Sequence, residues 1–328
     1  MKIVVDAMGG DYAPDEVIKG AYLAGKELPG VDIILAGRED VIRKVLEREI
    51  PDFHPEIVDA PQTIEMGESP ALAIRRKRKS SIVTGLNLLK DKKADAFVSC
   101  GNTGAMVCGS TIDLGLIKGV ERPGIAILFP TLKGVSFIID VGANIDPKPK
   151  HLMQYALMAD VYVRDVLGRV SPSIGLLNIG EEETKGPDFL KETVALLKDK
   201  LDNFAGNIEA KDIFTGKCDC IISDGLAGNI ALKVSEGFVG ALGKFLLSAV
   251  NRGFWSRVGL FLMRKSFDKF KKIVDYAEYG GAPLLGVDGV VIIGHGRSKA
   301  KAVKNAVRAA CRELERDINQ KIQEKINA

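Results

Sequence analysis

The stretch Cys220-Ile-Ile-Ser-Asp-Gly-Leu-Ala-Gly-Asn229 carries residue types that could hold an anion. A short apolar run ends in Ser223 and Asp224, and Gly225 and Gly228 bracket a turn. Asn229 is placed to cap the helix suggested by Ile230, Leu232, Val234 and Phe238. A helix N-terminus with unpaired backbone N–H groups attracts anions. The same wording recurs in loops beginning at Asp6, Cys100, Asp140, Asn178, Asp224 and Gly294. Together these loops offer Asp6, Gly9 and Gly10; Gly101, Asn102, Thr103 and Gly104; Asp140 and Asn144; and Asn178, with Lys185 just beyond it. The last two add Asp224, Gly225, Gly228 and Asn229, and His295. Gly, Asn and Asp with one Lys and one His suit hydrogen bonding to phosphate and stabilisation of an oxyanion better than covalent catalysis.

Each of these residues also has a plainer reading. Asn102 and Asn229 could simply cap helices, a role worth ~1 kcal/mol. Lys185 stands in an acidic loop and could pair with Glu182 or Glu183. Asp6 and Asp140 could hold turns through their side chains. His295 lies between two glycines, where it cannot pack as a core residue, and function is favoured.

The elements that would position these loops are legible as alternating runs. Strands are expected at Ile3–Val5, Val31–Ala36, Ile57–Asp59, Ala94–Ser99, Ile125–Phe129, Val135–Ile139, Ile174–Leu177 and Val290–Ile293, with Ile221 and Ile222 in another. Helices are expected from Pro14, after Gly37 through Arg48, over Leu152–Leu167 and Phe189–Leu201, and over Lys299–Ile326. Alternation of this kind implies an α/β protein, its mostly parallel sheet sandwiched by helices. Ligands in such sheets sit beyond the C-terminal ends of the strands, where all six loops fall. The 328 residues suit one domain over 1–328 or two lobes.

Composition excludes several function classes. A net charge of +3 is too balanced to argue for nucleic acid. The N-terminus enters a strand-like run directly, with no signal peptide, and no apolar run approaches the ~18 residues of a membrane span, so a cytoplasmic protein is expected. Five cysteines, Cys218-x-Cys220 among them, lack a second pair at zinc spacing, and no metal is expected. A phosphate-binding Gly-x4-Gly-Lys-Ser/Thr, a full dinucleotide fingerprint and a Gly-x-Ser-x-Gly elbow are all missing. Cys100, on a strand-end loop, is more economically a small residue in a tight turn than a nucleophile.

The ordered set Asp6-Ala-Met-Gly-Gly-Asp11, Ser99-Cys-Gly-Asn-Thr-Gly-Ala105, Asp140-Val-Gly-Ala-Asn144, Leu176-Leu-Asn-Ile-Gly180, Asp224-Gly-Leu-Ala-Gly-Asn229 and Tyr279-Gly-Gly-Ala-Pro-Leu-Leu-Gly286 resembles the PlsX-type phosphate acyltransferases of bacterial phospholipid synthesis. The match runs to about Asn305, with departures at Cys100 and Leu226, where alanine and phenylalanine are usual. The resemblance implies a fold of the isopropylmalate dehydrogenase and phosphotransacetylase group and a homodimer without a cofactor. It also implies transfer of a long-chain acyl group from acyl carrier protein to inorganic phosphate, giving acyl phosphate for glycerol-3-phosphate acylation by an acyltransferase at the membrane. On that reading Lys185, Asn229, His295 and Asn102 would be catalytic, with the remaining loop residues holding phosphate and substrate. The enzyme alternative is a short-chain phosphotransacylase using coenzyme A, and the non-enzymatic one is a regulator that binds carrier protein or lipid.

Two further segments fall outside the loops. Arg75, Arg76, Lys77, Arg78 and Lys79 form a solvated helix face or a docking patch for the acidic carrier protein. An amphipathic segment at about 238–272 mixes Phe254, Trp255, Leu260 and Phe261 with seven cations between 251 and 272 and one acid, Asp268. It reads as a helical pair packed on the sheet or the dimer partner, or as a peripheral contact with anionic lipid.

Overall fold

The computed structural model describes residues 1–250, 259, 262–265 and 280–328. Its first half interleaves β1 (Lys2–Asp6), α1 (Asp15–Glu27), β2 (Asp32–Gly37), α2 (Glu39–Glu49) and β3 (Glu56–Asp59) with α3 (Pro70–Arg76), α4 (Ser81–Lys90), β4 (Ala96–Ser99) and α5 (Thr103–Gly109). A hairpin of β5 (Gly124–Thr131) and β6 (Gly134–Ile139) follows, then α6 (Pro149–Asp165), β7 (Ile174–Leu177), α7 (Asp188–Lys200), β8 (Phe204–Ile208), β9 (Cys220–Ile222) and α8 (Gly225–Val250). The chain closes with β10 (Ala282–Leu285), β11 (Val290–Ile293), α9 (Ala300–Glu315) and α10 (Ile318–Asn327).

These strands join in the order β3-β2-β1-β4-β11-β10-β5-β6-β9-β7-β8. Strands β3, β2, β1, β4 and β11 are mutually parallel, with Val5 opposite Leu35 on one side and Val98 on the other. Strands β6, β9, β7 and β8 form a second parallel array. Between them β10 is antiparallel to both β11 and β5, and β5 is antiparallel to β6. Three reversals separate β11 from β6, so the second array runs opposite in sense to the first. The six loops do follow strand C-termini, but they form two sets, each at the C-terminal ends of its own array.

Strands of this kind are buried on both faces, which is why they read as unbroken β-branched runs. Ile3, Val5, Ile33, Leu35 and Val98 pack under α1, α2 and α9. Phe137, Ile139, Ile174 and Ile222 pack under α6, α7 and α10, where Phe137 stacks on Tyr162 at 4.6 Å between centroids. The opposite face of both arrays shares a single cluster, running from Val4 and Phe97 to Ile138 and Ile221, against α4, α5 and the start of α8. That shared layer makes the two arrays one packed body.

Three local readings change. Strands β8 and β10 were not expected, because the first contains Gly206 and Asn207 and the second is only Ala-Pro-Leu-Leu. The expected helix over 299–326 is two helices, broken where Asp317 takes a left-handed φ of 50°. Gly225 to Gly228 is not a turn but the first turn of α8.

Candidate active site

The first loop set gathers around a buried carboxylate. Asp6 accepts the Met8 amide at 3.0 Å and the Ser99 hydroxyl at 2.7 Å, and Ser99 Oγ in turn accepts the Gly101 amide at 3.0 Å. Gly9 and Gly101 lie against this pair, and Gly10 meets Cys100 and the Gly296 carbonyl, so the loops after β1, β4 and β11 touch. Asp11 closes the contact by donating its amide to the Gly296 carbonyl at 2.7 Å. Burial raises the Asp6 carboxyl above its ordinary value, partly offset by hydrogen bonds from Ser81 and Ser99. Burial likewise pushes the Cys100 thiol up to about 12, which removes it as a nucleophile at neutral pH.

Asn102 is buried and its amide is fully engaged. Its Oδ1 caps α5 by accepting the Ala105 amide at 2.9 Å, and its Nδ2 points at the carbonyls of Glu65, Met66 and Glu68, each at 3.1 Å. The expectation that Asn102 donates to substrate is corrected by this geometry: the side chain builds the loop. What this set leaves open is backbone. Among the described residues the amides of Thr103 and Gly104, at the start of α5, have no protein acceptor. Gly104 itself sits against Pro70.

The second set is organised by two aspartates. Asp140 is fully buried and accepts the amides of Ile125, Gly142, Ala143 and Asn144 at 2.7–3.0 Å. Burial outweighs these four donors and pushes its carboxyl up to about 6. Asp224 caps α8, with Oδ1 accepting the amides of Leu226 at 3.0 Å and Ala227 at 2.8 Å. Gly225 donates to the Asn144 carbonyl at 2.9 Å and Gly228 to the Asp224 carbonyl at 2.9 Å. The first-turn amides of α8 are therefore taken, and a phosphate held by free N–H groups at this terminus is excluded. The glycines are needed for approach instead. A Cβ on Gly228 would lie 2.0 Å from the Asp140 carbonyl oxygen, and one on Gly225 2.6 Å from that of Asn144.

With Asp224 as the cap, Asn229 is freed from capping. It is exposed within the second turn of α8, its side chain facing Gly142 of the Asp140 loop, without a hydrogen-bond partner among the described residues. Asn144 is held between His151 Nδ1 at 3.3 Å and the Tyr155 hydroxyl at 3.4 Å. On the neighbouring strand end, Asn178 donates Nδ2 to the Lys185 carbonyl at 3.2 Å and accepts the Ile179 amide at 2.8 Å, which fixes the 179–186 loop. Lys185 is exposed. Its expected partners are absent among the described residues, since Glu183 pairs with Lys198 and no ion pair engages Glu182. His295, in the first set, reaches across to α8, where its Nε2 lies 3.7 Å from Glu236 Oε2. Glu236 was not singled out from the sequence, where it is one more charge on a helix.

The basic run also divides. Lys77 bonds Thr63 O and Glu68, and Arg78 forms a two-pronged pair with Asp113 at 3.0 and 3.1 Å. Arg75, Arg76 and Lys79 remain exposed, beside the loop that Asn102 clamps. Phe254, Trp255, Leu260 and Phe261 lie outside the described residues. No described helix is long and apolar enough to cross a membrane.

The chain matches the family model described as a fatty acid synthesis protein over residues 1–321. It is 48% identical over 334 residues to the phosphate acyltransferase of Dictyoglomus turgidum, covering 100% of this chain and 98% of that one. The phosphate acyltransferase of Pelotomaculum thermopropionicum is 45% identical, with 100% and 96% covered. Among solved structures, a phosphotransacetylase from Streptococcus pyogenes superposes with a TM-score of 0.65 at 17% identity, covering 96% of this chain and 94% of its own. A 4-hydroxythreonine-4-phosphate dehydrogenase from Klebsiella pneumoniae gives 0.53 at 16%, with 98% of each chain covered. The two structural likenesses bear on the fold and bear out a mixed α/β sheet of the dehydrogenase and phosphotransacetylase kind. The sequence relatives carry more, and on them the chain belongs to the phosphate acyltransferase family of fatty acid and phospholipid synthesis.

Proposed function

We propose that this acyltransferase moves a long-chain acyl group from acyl carrier protein to inorganic phosphate, releasing acyl phosphate and free carrier protein for later acylation of glycerol-3-phosphate. The observation that carries this reading is the pair of exposed donors, Asn229 and Lys185, on neighbouring strand ends where Asp140, Asn178 and Asp224 are spent on holding the loops. Phosphate is already an anionic nucleophile and needs placement rather than a strong base. Held ~3–3.5 Å from the thioester carbon, one of its oxygens attacks, and the carbonyl oxygen takes up the negative charge. Lys185 supplies the cation for phosphate, and Asn229 donates to phosphate or the developing oxyanion. Collapse breaks the C–S bond, with His295 or Lys185 assisting the leaving sulfur. A thiol pKa of about 8.5 makes thiolate a tolerable leaving group. Thr103 and Gly104 add two open amides from the first set, and Asp6, Asp140, Asn144, Asn178 and Asp224 hold the loops in shape.

Acyl carrier protein docks on the exposed cations Arg75, Arg76 and Lys79. Arg75→Glu with Arg76→Glu should raise the carrier-protein KM and flatten its salt dependence, because less attraction is left to screen; an unchanged KM removes the patch. Homodimerisation is supported by an apolar line on α8, where Leu226, Ile230, Val234, Phe238 and Phe245 are all exposed. Contact of the 252–272 segment with anionic lipid is supported by exposed Leu262 and Met263. Flotation with liposomes, with and without Trp255→Glu plus Leu260→Glu, separates lipid contact from burial against a partner. The function itself is tested by comparing palmitoyl carrier protein with acetyl-CoA as donors to phosphate. Release of carrier-protein thiol that depends on phosphate is expected; preference for acetyl-CoA favours the short-chain reaction, and no release leaves only a binding role.

A further inference from the structure

We infer that Asn207 is a positioning residue that fixes the backbone carrying Lys185, an assignment that rests on the reading of Lys185 as the phosphate cation. The 179–186 loop leads from β7 to α7, and Glu181 to Lys185 are all exposed. Its ion pairs, Glu181 with Lys217 and Glu183 with Lys198, lie on the surface and hold it weakly. Two buried side-chain amides hold it more firmly. Asn178 donates to the Lys185 carbonyl at 3.2 Å, and Asn207 of β8 donates Nδ2 to the Glu182 carbonyl at 3.1 Å. That same carbonyl accepts the Lys185 amide at 3.1 Å, so Asn207 pins the turn that ends in Lys185. The Lys185 stem then lies on Gly180, where a Cβ would come within 3.1 Å of its Cγ.

Asn207 reaches this carbonyl because β8 is irregular. Ile174 pairs with Phe204 but Gly175 pairs with Gly206, so Ala205 is bulged out and Gly206 takes a φ of 93°. Phe204 and Asn207 are three residues apart and would face opposite sides of a regular strand. The bulge turns both to one side: Phe204 packs in the cluster under α6 and α7, and Asn207 stands opposite Leu176 of the same cluster. Bulges of this kind re-aim side chains beside active sites. Stability alone does not call for an amide here. Asn207 is 4% exposed, and its Oδ1 has no hydrogen-bond partner among the described residues. A buried acceptor left unpaired is destabilising, whereas valine, of similar size, suits a strand. What the amide supplies in return is the fixed turn before Lys185.

The test compares Asn207→Val and Asn207→Asp with wild type in the full-length protein. Asn207→Val removes the donor and the unpaired oxygen together, and Asn207→Asp sets a carboxylate against the Glu182 carbonyl. Melting temperature should stay level or rise in Asn207→Val, while the Lys185 amide exchanges its hydrogen about tenfold faster. With palmitoyl carrier protein as donor, kcat/KM for phosphate should fall about tenfold in Asn207→Val and further in Asn207→Asp, with the carrier-protein KM unchanged. In a Lys185→Ala background Asn207→Val should add no further loss. Unchanged exchange, or a phosphate kcat/KM within twofold of wild type, would overturn the assignment. So would a melting temperature that drops along with activity, or a fully additive loss in the Lys185→Ala background. If Lys185→Ala alone were fully active, the reading of Lys185 would fail, while the exchange rates would still decide whether Asn207 holds the turn.

Discussion

The two loop sets solve the same problem in opposite ways. Around Asp6 the side chains turn inward: Ser99 and Asn102 are buried and bonded within the loops, and the open groups are the amides of Thr103 and Gly104. Around Asp140 and Asp224 the amides turn inward onto carboxylates, and the open groups are the side chains of Asn229 and Lys185. An open amide survives mutation of its own residue, whereas an open side chain does not. On the proposed reaction, and His295 apart, the difference puts the mutable chemistry in the second set and the scaffold in the first.

The largest effect that could break this contrast is at the open side chains. Lys185→Ala and Asn229→Ala should each lower turnover ~10² to 10³-fold with an unchanged melting temperature, the usual cost of losing a preorganised donor. Near-normal acyl-phosphate formation by both would place the site elsewhere. Next is Gly228→Ala, whose Cβ would meet the Asp140 carbonyl oxygen at 2.0 Å. Prying α8 from that loop should cost about 1–3 kcal/mol in urea unfolding, because backbone has little room to move. Stability equal to wild type would mean that the helix and loop are not in register as described.

How far the sequence revealed this contrast depends on which neighbours matter. The parallel arrays were legible because strands buried on both faces read as continuous β-branched runs, and the loops because Gly, Asn and Asp cluster where those runs end. The reversal of the second array was not, since it depends on β10, a four-residue strand containing Pro283. Asn229 had two readings in the sequence, a cap and a donor; Asp224 takes the capping place, which leaves the Asn229 side chain open for the proposed donor role. Asn102 was misjudged in the other direction, because its three carbonyl partners lie 34–37 residues away and leave no local signal. Arg78 hides its partner Asp113 in the same way.

A smaller effect sharpens the contrast from the scaffold side. Asn102→Ala removes a cap and the clamp on 65–68, and should lower stability by about 1–3 kcal/mol. Its loss of activity should be recovered in part at lower temperature, where the loop is populated. A full loss of turnover without destabilisation would restore Asn102 as a direct donor.

The smallest effect serves as a control away from both sets. Glu313 of α9 is buried, hydrogen-bonded to Tyr162, and its Oε1 has no partner among the described residues. Burial pushes its carboxyl up to about 8, from an ordinary 4.5. With the folded value above the unfolded one, its stabilising contribution is complete below about pH 4.5 and is lost as pH rises through about 8. Wild-type melting temperature should fall by a few degrees relative to Glu313→Gln between pH 6 and 9; parallel pH profiles would show that Glu313 does not titrate there.

The most direct measurement is a rapid-quench single turnover of palmitoyl carrier protein with radiolabelled phosphate, run side by side on Asn229→Ala and Asn102→Ala with their melting temperatures. The expected result is a rate lowered ~100-fold or more in Asn229→Ala at wild-type stability. Asn102→Ala should lose stability first and less than tenfold in rate. The reverse pattern, with Asn102→Ala stable but inert and Asn229→Ala active, would contradict the division of labour between the two loop sets.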